Sequence, residues 1–168
     1  MRLALLVLVG GCGIADFDVD QPIMEQRIAG SPLPGPLATL FPLPLNIDIS
    51  AKIQAMHTGP IDRVTLASLE LAITPTAMPA GDGDDWSFID AIEVYVSSSK
   101  SGSTLPKVKL AHVASPGAVT RLDFTIEPDV NLEPYISEGS VVEGDSTGRA
   151  PPDDVTYDGT GVFSVHPL

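Results

Sequence analysis

The chain has 168 residues, which is enough for one domain and short for two. Nine Lys and Arg against 22 Asp and Glu give a formal charge of -13, which disfavours nucleic acid and anionic membrane surfaces as partners. The single Cys excludes an internal disulfide framework and a Cys-rich metal site, and three His leave little for a His-rich metal centre.

The first eleven residues have the pattern of a secretory signal. Arg2 is followed by an unbroken apolar run to Val9, and then by two small residues, Gly10 and Gly11. The run is about half as long as a membrane-spanning helix requires. A positive start, a short apolar stretch and small residues before a cleavage site predict a signal peptide over residues 1–11. The alternative, a buried N-terminal strand, is disfavoured because so long an unpunctuated apolar run is unusual for a core element.

Val9-Gly10-Gly11-Cys12 resembles the lipobox of bacterial lipoproteins, in which an apolar residue and two small residues precede the Cys. The resemblance covers residues 1–12 only and says nothing about the fold of the rest. It implies cleavage before Cys12, lipid on that residue and anchoring in the bacterial cell envelope. Several acyl chains on one Cys exceed the two signals that stable anchoring requires. The next residue is Gly13, and the absence of an Asp there implies the outer membrane rather than the inner one.

Residues 12–44 are predicted to form an acylated anchor and a Pro-rich tether. Three acids, Asp16, Asp18 and Asp20, alternate with apolar residues, so a short edge strand is one option at the start of this segment. Five prolines between residues 31 and 44 disfavour a helix or a central strand. Two interpretations stay open for that stretch: an extended cover for a sheet edge or core opening, and a stiff spacer that lifts the domain from the membrane.

The remaining residues, 45–168, are predicted to form a β domain. Apolar residues recur at every second position from Leu43 to Ala55, which predicts one strand with a single buried face. The alternation changes phase at Ala67-Ser68, where a β-bulge is favoured over a short helix. Asp158-Gly159 is typical of a hairpin turn between two late strands.

About eight or nine short strands with regularly spaced turn signals predict an all-β fold, an antiparallel β-sandwich that is immunoglobulin-like or jelly-roll-like. A short helix is predicted where Asn131 precedes Leu132, Glu133 and Pro134. The Cys-Trp-Cys pattern of true immunoglobulin domains is absent from the chain.

Asp82, Asp84 and Asp85 form the sharpest polar cluster, on a loop that contains Gly83. Carboxylate oxygens on a flexible loop suit Ca²⁺, although the spacing is not that of an EF-hand because Trp86 stands at a ligand position. The alternative is a solvated acidic turn. Trp86 is predicted to belong to the core rather than to a binding surface. A second acidic region, residues 138–158, would share the cation if its loops met the first cluster.

Catalytic motifs are missing from the sequence. It contains no HExxH, no CxxC and no G-x-S-x-G, and only 5% of its residues are aromatic, which is low for a sugar-binding cleft. We therefore expect no enzymatic activity, and Ca²⁺ as the one conceivable cofactor. The predicted function is a lipid-anchored cell-envelope protein that acts as a structural or protein-interaction module, with the membrane reached through lipidated Cys12 and an envelope protein as partner.

The alternative function is a periplasmic carrier of a lipophilic ligand. The apolar, Pro-rich segment 32–44 would then line or cover a cavity between the two sheets.

Overall fold

A computed structural model describes residues 15–31, 41–45, 47, 49–55, 59–75 and 83–168 of the chain. The signal peptide, Cys12, Asp82 and most of the Pro-rich segment lie outside these residues. In chain order the elements are β1 (Phe17–Ile28), β2 (Phe41–Leu43), α1 (Ile49–Ala55), β3 (Ile61–Thr74), a 3-10 turn (Trp86–Phe88), β4 (Ile89–Ser98), β5 (Val108–Ala114), β6 (Arg121–Asp123), β7 (Thr125–Ile126), α2 (Glu133–Glu138), β8 (Ser140–Gly148) and β9 (Val155–Pro167).

The strands form two antiparallel sheets, ordered β1-β9-β3-β6 and β2-β8-β4-β5-β7. The pairs β1–β9, β2–β8, β3–β6 and β4–β5 are nested, as in one long hairpin rolled into two layers. This arrangement is a jelly roll. In an immunoglobulin domain the first strand neighbours the second, whereas β1 neighbours β9, so the jelly-roll form of the predicted sandwich is the one observed.

The core lies between the two sheets and draws apolar side chains from both. Trp86 is fully buried there, with its ring centroid 5.8 Å from that of Phe88 and 5.4 Å from that of Tyr157. The structure thus confirms the prediction that Trp86 is a core residue. Aromatic pairs of this kind add stability beyond the area they bury.

The sandwich begins at β1, not at the predicted boundary of residue 45. β1 pairs with β9 from Phe17 opposite Val165 to Ile28 opposite Val155, so residues 17–28 form the edge strand that the sequence offered as one option, and they are not part of a tether. The alternating pattern explains this, because acids on the outer face leave the opposite side chains free to enter the core. Pro22 is tolerated since β1 is an edge strand and its outer side needs no N–H donor.

The long strand predicted from Leu43 to Ala55 is wrong. β2 ends at Leu43, and α1 covers Ile49–Ala55. Ile49 and Ile53 are both buried, and a spacing of four residues places two side chains on one face of a helix as well as on one face of a strand. Period-two alternation in this segment therefore could not separate the two structures.

The predicted bulge in β3 is present in the structure, whereas the predicted hairpin turn at Asp158-Gly159 is not. The register of β3 against β9 shifts between Leu66 and Ser68, which confirms the predicted bulge. The predicted turn at Asp158-Gly159 is wrong, because β9 runs through it. A Cβ on Gly159 would lie 2.4 Å from the carbonyl oxygen of Glu70 on β3, so this glycine permits close packing of two strands.

The short helix predicted near Asn131 is confirmed as α2. The side-chain oxygen of Asn131 accepts hydrogen bonds from the backbone N–H of Glu133 at 3.0 Å and of Val64 at 3.2 Å. Asn131 therefore fixes the start of the helix against β3.

Candidate functional site

The predicted calcium ligands are only partly covered by the structure. Asp84 and Asp85 are described and stand directly before the 3-10 turn, whereas Asp82 lies outside the described residues. Asp85 caps that turn: its carboxylate accepts a hydrogen bond from the N–H of Ser87 at 2.9 Å. Hydrogen bonds from Ser87 lower the pKa of Asp85, which keeps the carboxylate charged.

Asp85 thus has a structural role next to the core. The turn that it caps carries Trp86 into the interior, and the backbone N–H of Trp86 donates to the carbonyl of Val119 at 2.8 Å. Within the described ranges, no three side chains of His, Cys, Asp or Glu come together in a group able to hold a metal ion. Calcium binding by Asp82, Asp84 and Asp85 stays a prediction.

The acids of the second acidic region are held by separate partners. Glu138 accepts hydrogen bonds from the hydroxyls of Ser103 at 2.6 Å and Ser98 at 2.9 Å and lies 3.3 Å from Lys100. These contacts lower the pKa of Glu138, Ser103 having the largest effect. Glu138 is the last residue of α2, so these contacts hold the loop between β4 and β5 against the end of that helix.

Asp154 makes an equivalent connection at the opposite side of the molecule. Its carboxylate accepts a hydrogen bond from the N–H of Gly30 at 3.0 Å and forms an ion pair with Arg27. The Gly30 contact and then Arg27 lower the pKa of Asp154. Asp154 therefore joins the start of β9 to the end of β1.

Charged side chains also cover the outer face of the second sheet. The ammonium of Lys107 lies 3.0 Å from Glu143 and 3.3 Å from Asp145, and 4.8 Å from the ring centroid of Tyr95. The carboxylates, Glu143 first, raise the pKa of Lys107. Tyr95 donates a hydrogen bond to Glu93 at 2.7 Å. Each acid here has a cation or a hydroxyl nearby, an arrangement that stabilises a surface rather than a reaction centre.

A groove of about 420 Å³ lies at the edge of the second sheet. One wall is the chain that leaves β2, residues 42–45 and 47, and the other is β8 from residue 140 to residue 145. The groove depends on which strand lies beside β8, and strand order was not deducible from the alternation pattern.

Neither described helix has the length and apolar character that a membrane span requires.

No protein-family model matches the chain, and its sequence matches no curated protein. Its fold is similar to three solved virus structures, at low identity. The structure titled Desmodium yellow mottle tymovirus is 17% identical, with a TM-score of 0.29, over 100% of this chain and 91% of that one. The structure titled turnip yellow mosaic virus is 15% identical, with a TM-score of 0.31, over 99% of this chain and 89% of that one. The cryo-EM structure of mud crab tombus-like virus is 9% identical, with a TM-score of 0.32, over 100% of this chain and 95% of that one.

The jelly-roll assignment rests on the strand order of this chain and not on these likenesses. TM-scores near 0.3 carry no argument about what the chain does. Jelly rolls also serve unrelated functions, so the fold alone does not name one.

Proposed function

We propose that the protein is a lipid-anchored module of the bacterial cell envelope that acts by contact with another protein. The observation that carries the proposal is the lone Cys12 at the end of Val9-Gly10-Gly11-Cys12, directly after a short apolar run. The fold supports the second half of the proposal. In the parts of the chain described above, the acids cap turns or pair with cations instead of converging on a reaction centre.

The position of β1 gives the anchored protein a defined geometry. β1 begins at Phe17, so only residues 13–16 separate it from Cys12. Four residues span roughly 14 Å when fully extended. A lipid on Cys12 would therefore hold the sandwich close to the bilayer, with the end that carries the start of β1 and the end of β9 facing it.

Acidic side chains lie at that end of the sandwich. Asp16 is 68% exposed in its side chain and lies 3.0 Å from the ring nitrogen of His166. Carboxylates near an anionic leaflet are repelled by it. The lipid, and not the protein surface, would then provide the attraction to the membrane.

The observed groove gives the carrier hypothesis little support. That hypothesis required a cavity between the sheets beneath segment 32–44, whereas the groove opens at the edge of one sheet. Glu143 and Asp145 line it, and charged groups disfavour burial of an acyl chain.

The anchoring is tested by expressing the full-length chain and a Cys12→Ser variant in a Gram-negative host. We expect the native chain to incorporate labelled palmitate, to lose its leader and to fractionate with membranes, and the variant to incorporate no label. Gly13→Ala is the matched control and retains all three properties. An unlabelled native chain, or a Cys12→Ser variant that still carries palmitate, would overturn the proposal.

A further inference from the structure

The ladder between β2 and β8 covers three residue pairs. Its register places Phe41, Pro42 and Leu43 opposite Ser146, Asp145 and Gly144. Proline has no N–H to donate. Because proline stands at both 42 and 44, the pairs that exchange hydrogen bonds are the outer two of the three, Phe41 with Ser146 and Leu43 with Gly144.

Beyond Leu43 the chain turns away from β8. The hydroxyl of Tyr157, on β9 of the opposite sheet, donates a hydrogen bond to the carbonyl of Pro44 at 2.7 Å. Leu45 and Ile47 then enter the core, where they are 2% and 8% exposed. The strand that would have continued along β8 is therefore drawn between the sheets, and the groove is the space that it leaves.

The backbone of Val142 faces this groove. In an antiparallel strand, the N–H and C=O of one residue point to the same neighbour, and alternate residues point the same way. Gly144 faces β2, so Val142 faces the same side, while Val141 and Glu143 face β4. Among the described residues no backbone hydrogen bond joins Val142 to the chain that leaves β2.

The groove has apolar walls and an acidic rim. Pro42 on the β2 wall is exposed, and Val141 on β8 is 38% exposed. Glu143 and Asp145 both contact the single cation of Lys107, which leaves an excess of negative charge at the rim. The whole chain has the same sign, with a formal charge of -13.

We propose that this edge of β8 binds an extended peptide of a partner protein by strand addition, with a basic side chain against Glu143. A peptide supplies the backbone acceptor and donor that Val142 requires, which an acyl chain lacks. Apolar side chains of the peptide contact Pro42 and Val141, and the acidic rim selects for Lys or Arg. The inference deepens the proposed function, because it names the surface and the partner class of the interaction module.

The proposal is tested by selecting a phage-displayed library of random octapeptides on the immobilised full-length protein. We expect the enriched peptides to alternate apolar residues with Lys or Arg. Fluorescence anisotropy with one enriched peptide then compares variants. Val142→Pro removes the N–H that faces the groove and should weaken binding at least tenfold, whereas Val142→Thr keeps that N–H and should stay within about twofold of the native chain.

Glu143→Lys provides an independent measurement if Val142→Pro does not fold. Reversal of that charge should weaken binding of a basic peptide tenfold or more, since the group faces outwards and leaves the backbone intact. Failure to enrich any peptide, or binding that neither variant changes, would overturn the proposal.

Two further outcomes would assign the groove to another occupant and so contradict it. One is saturable binding of a dansyl-labelled fatty acid that the Val142→Pro substitution abolishes. The other is a dimer in analytical ultracentrifugation that Val142→Pro dissociates. Because none of these measurements depends on lipid at Cys12, their failure is distinguishable from a failure of anchoring, which the palmitate experiment reports separately.

Discussion

Tyr157 connects the two sheets through a single hydrogen bond. Its ring packs edge-on against Trp86 in the core, and its hydroxyl reaches the carbonyl of Pro44 beside the other sheet. Burial raises the pKa of Tyr157 above its usual range. The neutral phenol is therefore part of the folded structure, and its ionisation opposes folding.

The substitution Tyr157→Phe tests this role. At neutral pH we expect the free energy of unfolding to fall by about 1 kcal/mol, because the Pro44 carbonyl loses its partner. The folded pKa lies above the unfolded one, so the stabilisation by the neutral phenol is complete below about pH 10 and is lost as the pH rises further. In urea titrations at rising pH the variant should lose less stability than the native chain. An equal alkaline loss in both would show that Tyr157 does not titrate on unfolding.

Asp85 distinguishes a capping role from a calcium site. Asp85→Ala should lower the free energy of unfolding by about 1 kcal/mol with or without calcium, while Asp85→Asn retains most of the cap. Since the folded pKa of Asp85 is lowered, its contribution should be present above about pH 4 and be lost as the pH falls further. Urea unfolding of the three chains at pH 3 and pH 7 measures both effects.

The calcium prediction has its own readout. If Asp82, Asp84 and Asp85 hold Ca²⁺, added calcium should raise the melting temperature of the native chain, and Asp84→Asn should remove that rise. A melting temperature that calcium leaves unchanged would show that this loop is a solvated turn with a structural cap.

At the scale of the elements, β9 is the strand that both halves of the first sheet share, since β1 and β3 flank it. Gly159→Ala should cost about 1 to 3 kcal/mol, because the new methyl group meets the Glu70 carbonyl and Leu71 and must push β3 aside. Gly83→Ala is the matched control, since a Cβ there has no neighbour within 4 Å among the described atoms. Equal melting temperatures for both variants would contradict close packing as the role of Gly159.

A sequence pattern predicts an element correctly when few structures can produce that pattern. A phase change in the alternation has few explanations, and the bulge at Leu66–Ser68 followed from it. Gly159 was misread because a glycine required for close approach looks the same as a glycine required for a turn. Ile49 and Ile53 were misread because a four-residue spacing fits both a helix and a strand.

The groove at β8 could not be predicted from the sequence for a different reason. Its two walls are nearly a hundred residues apart, one after β2 and one in β8. The open edge appears only where β2 pairs with β8 and the chain then turns away from β8 after Leu43. The lipidation of Cys12, in contrast, is predicted from a contiguous motif, and that prediction needs no knowledge of the fold.

For the molecule as a whole, the strands before residue 45 are part of the folding unit. β1 and β2 bury Val19, Ile23, Ile28 and Leu43, each contributing roughly 1.5 to 3 kcal/mol. Their sum is comparable with the total stability of an ordinary domain.

A chain that begins at residue 45 should therefore lack the cooperative thermal transition that a chain beginning at residue 15 shows in circular dichroism. If the shorter chain melted cooperatively at the same temperature, the first two strands would be dispensable, and residue 45 would be a true domain boundary.

The nested pairing of the strands also governs when the molecule can fold. Phe17 pairs with Val165, so β1 cannot pair within its sheet until β9, nearly 150 residues later in the chain, has been synthesised. Contacts between residues so distant along the chain form late and slowly. The jelly-roll topology therefore keeps this sheet open until β9 has been synthesised.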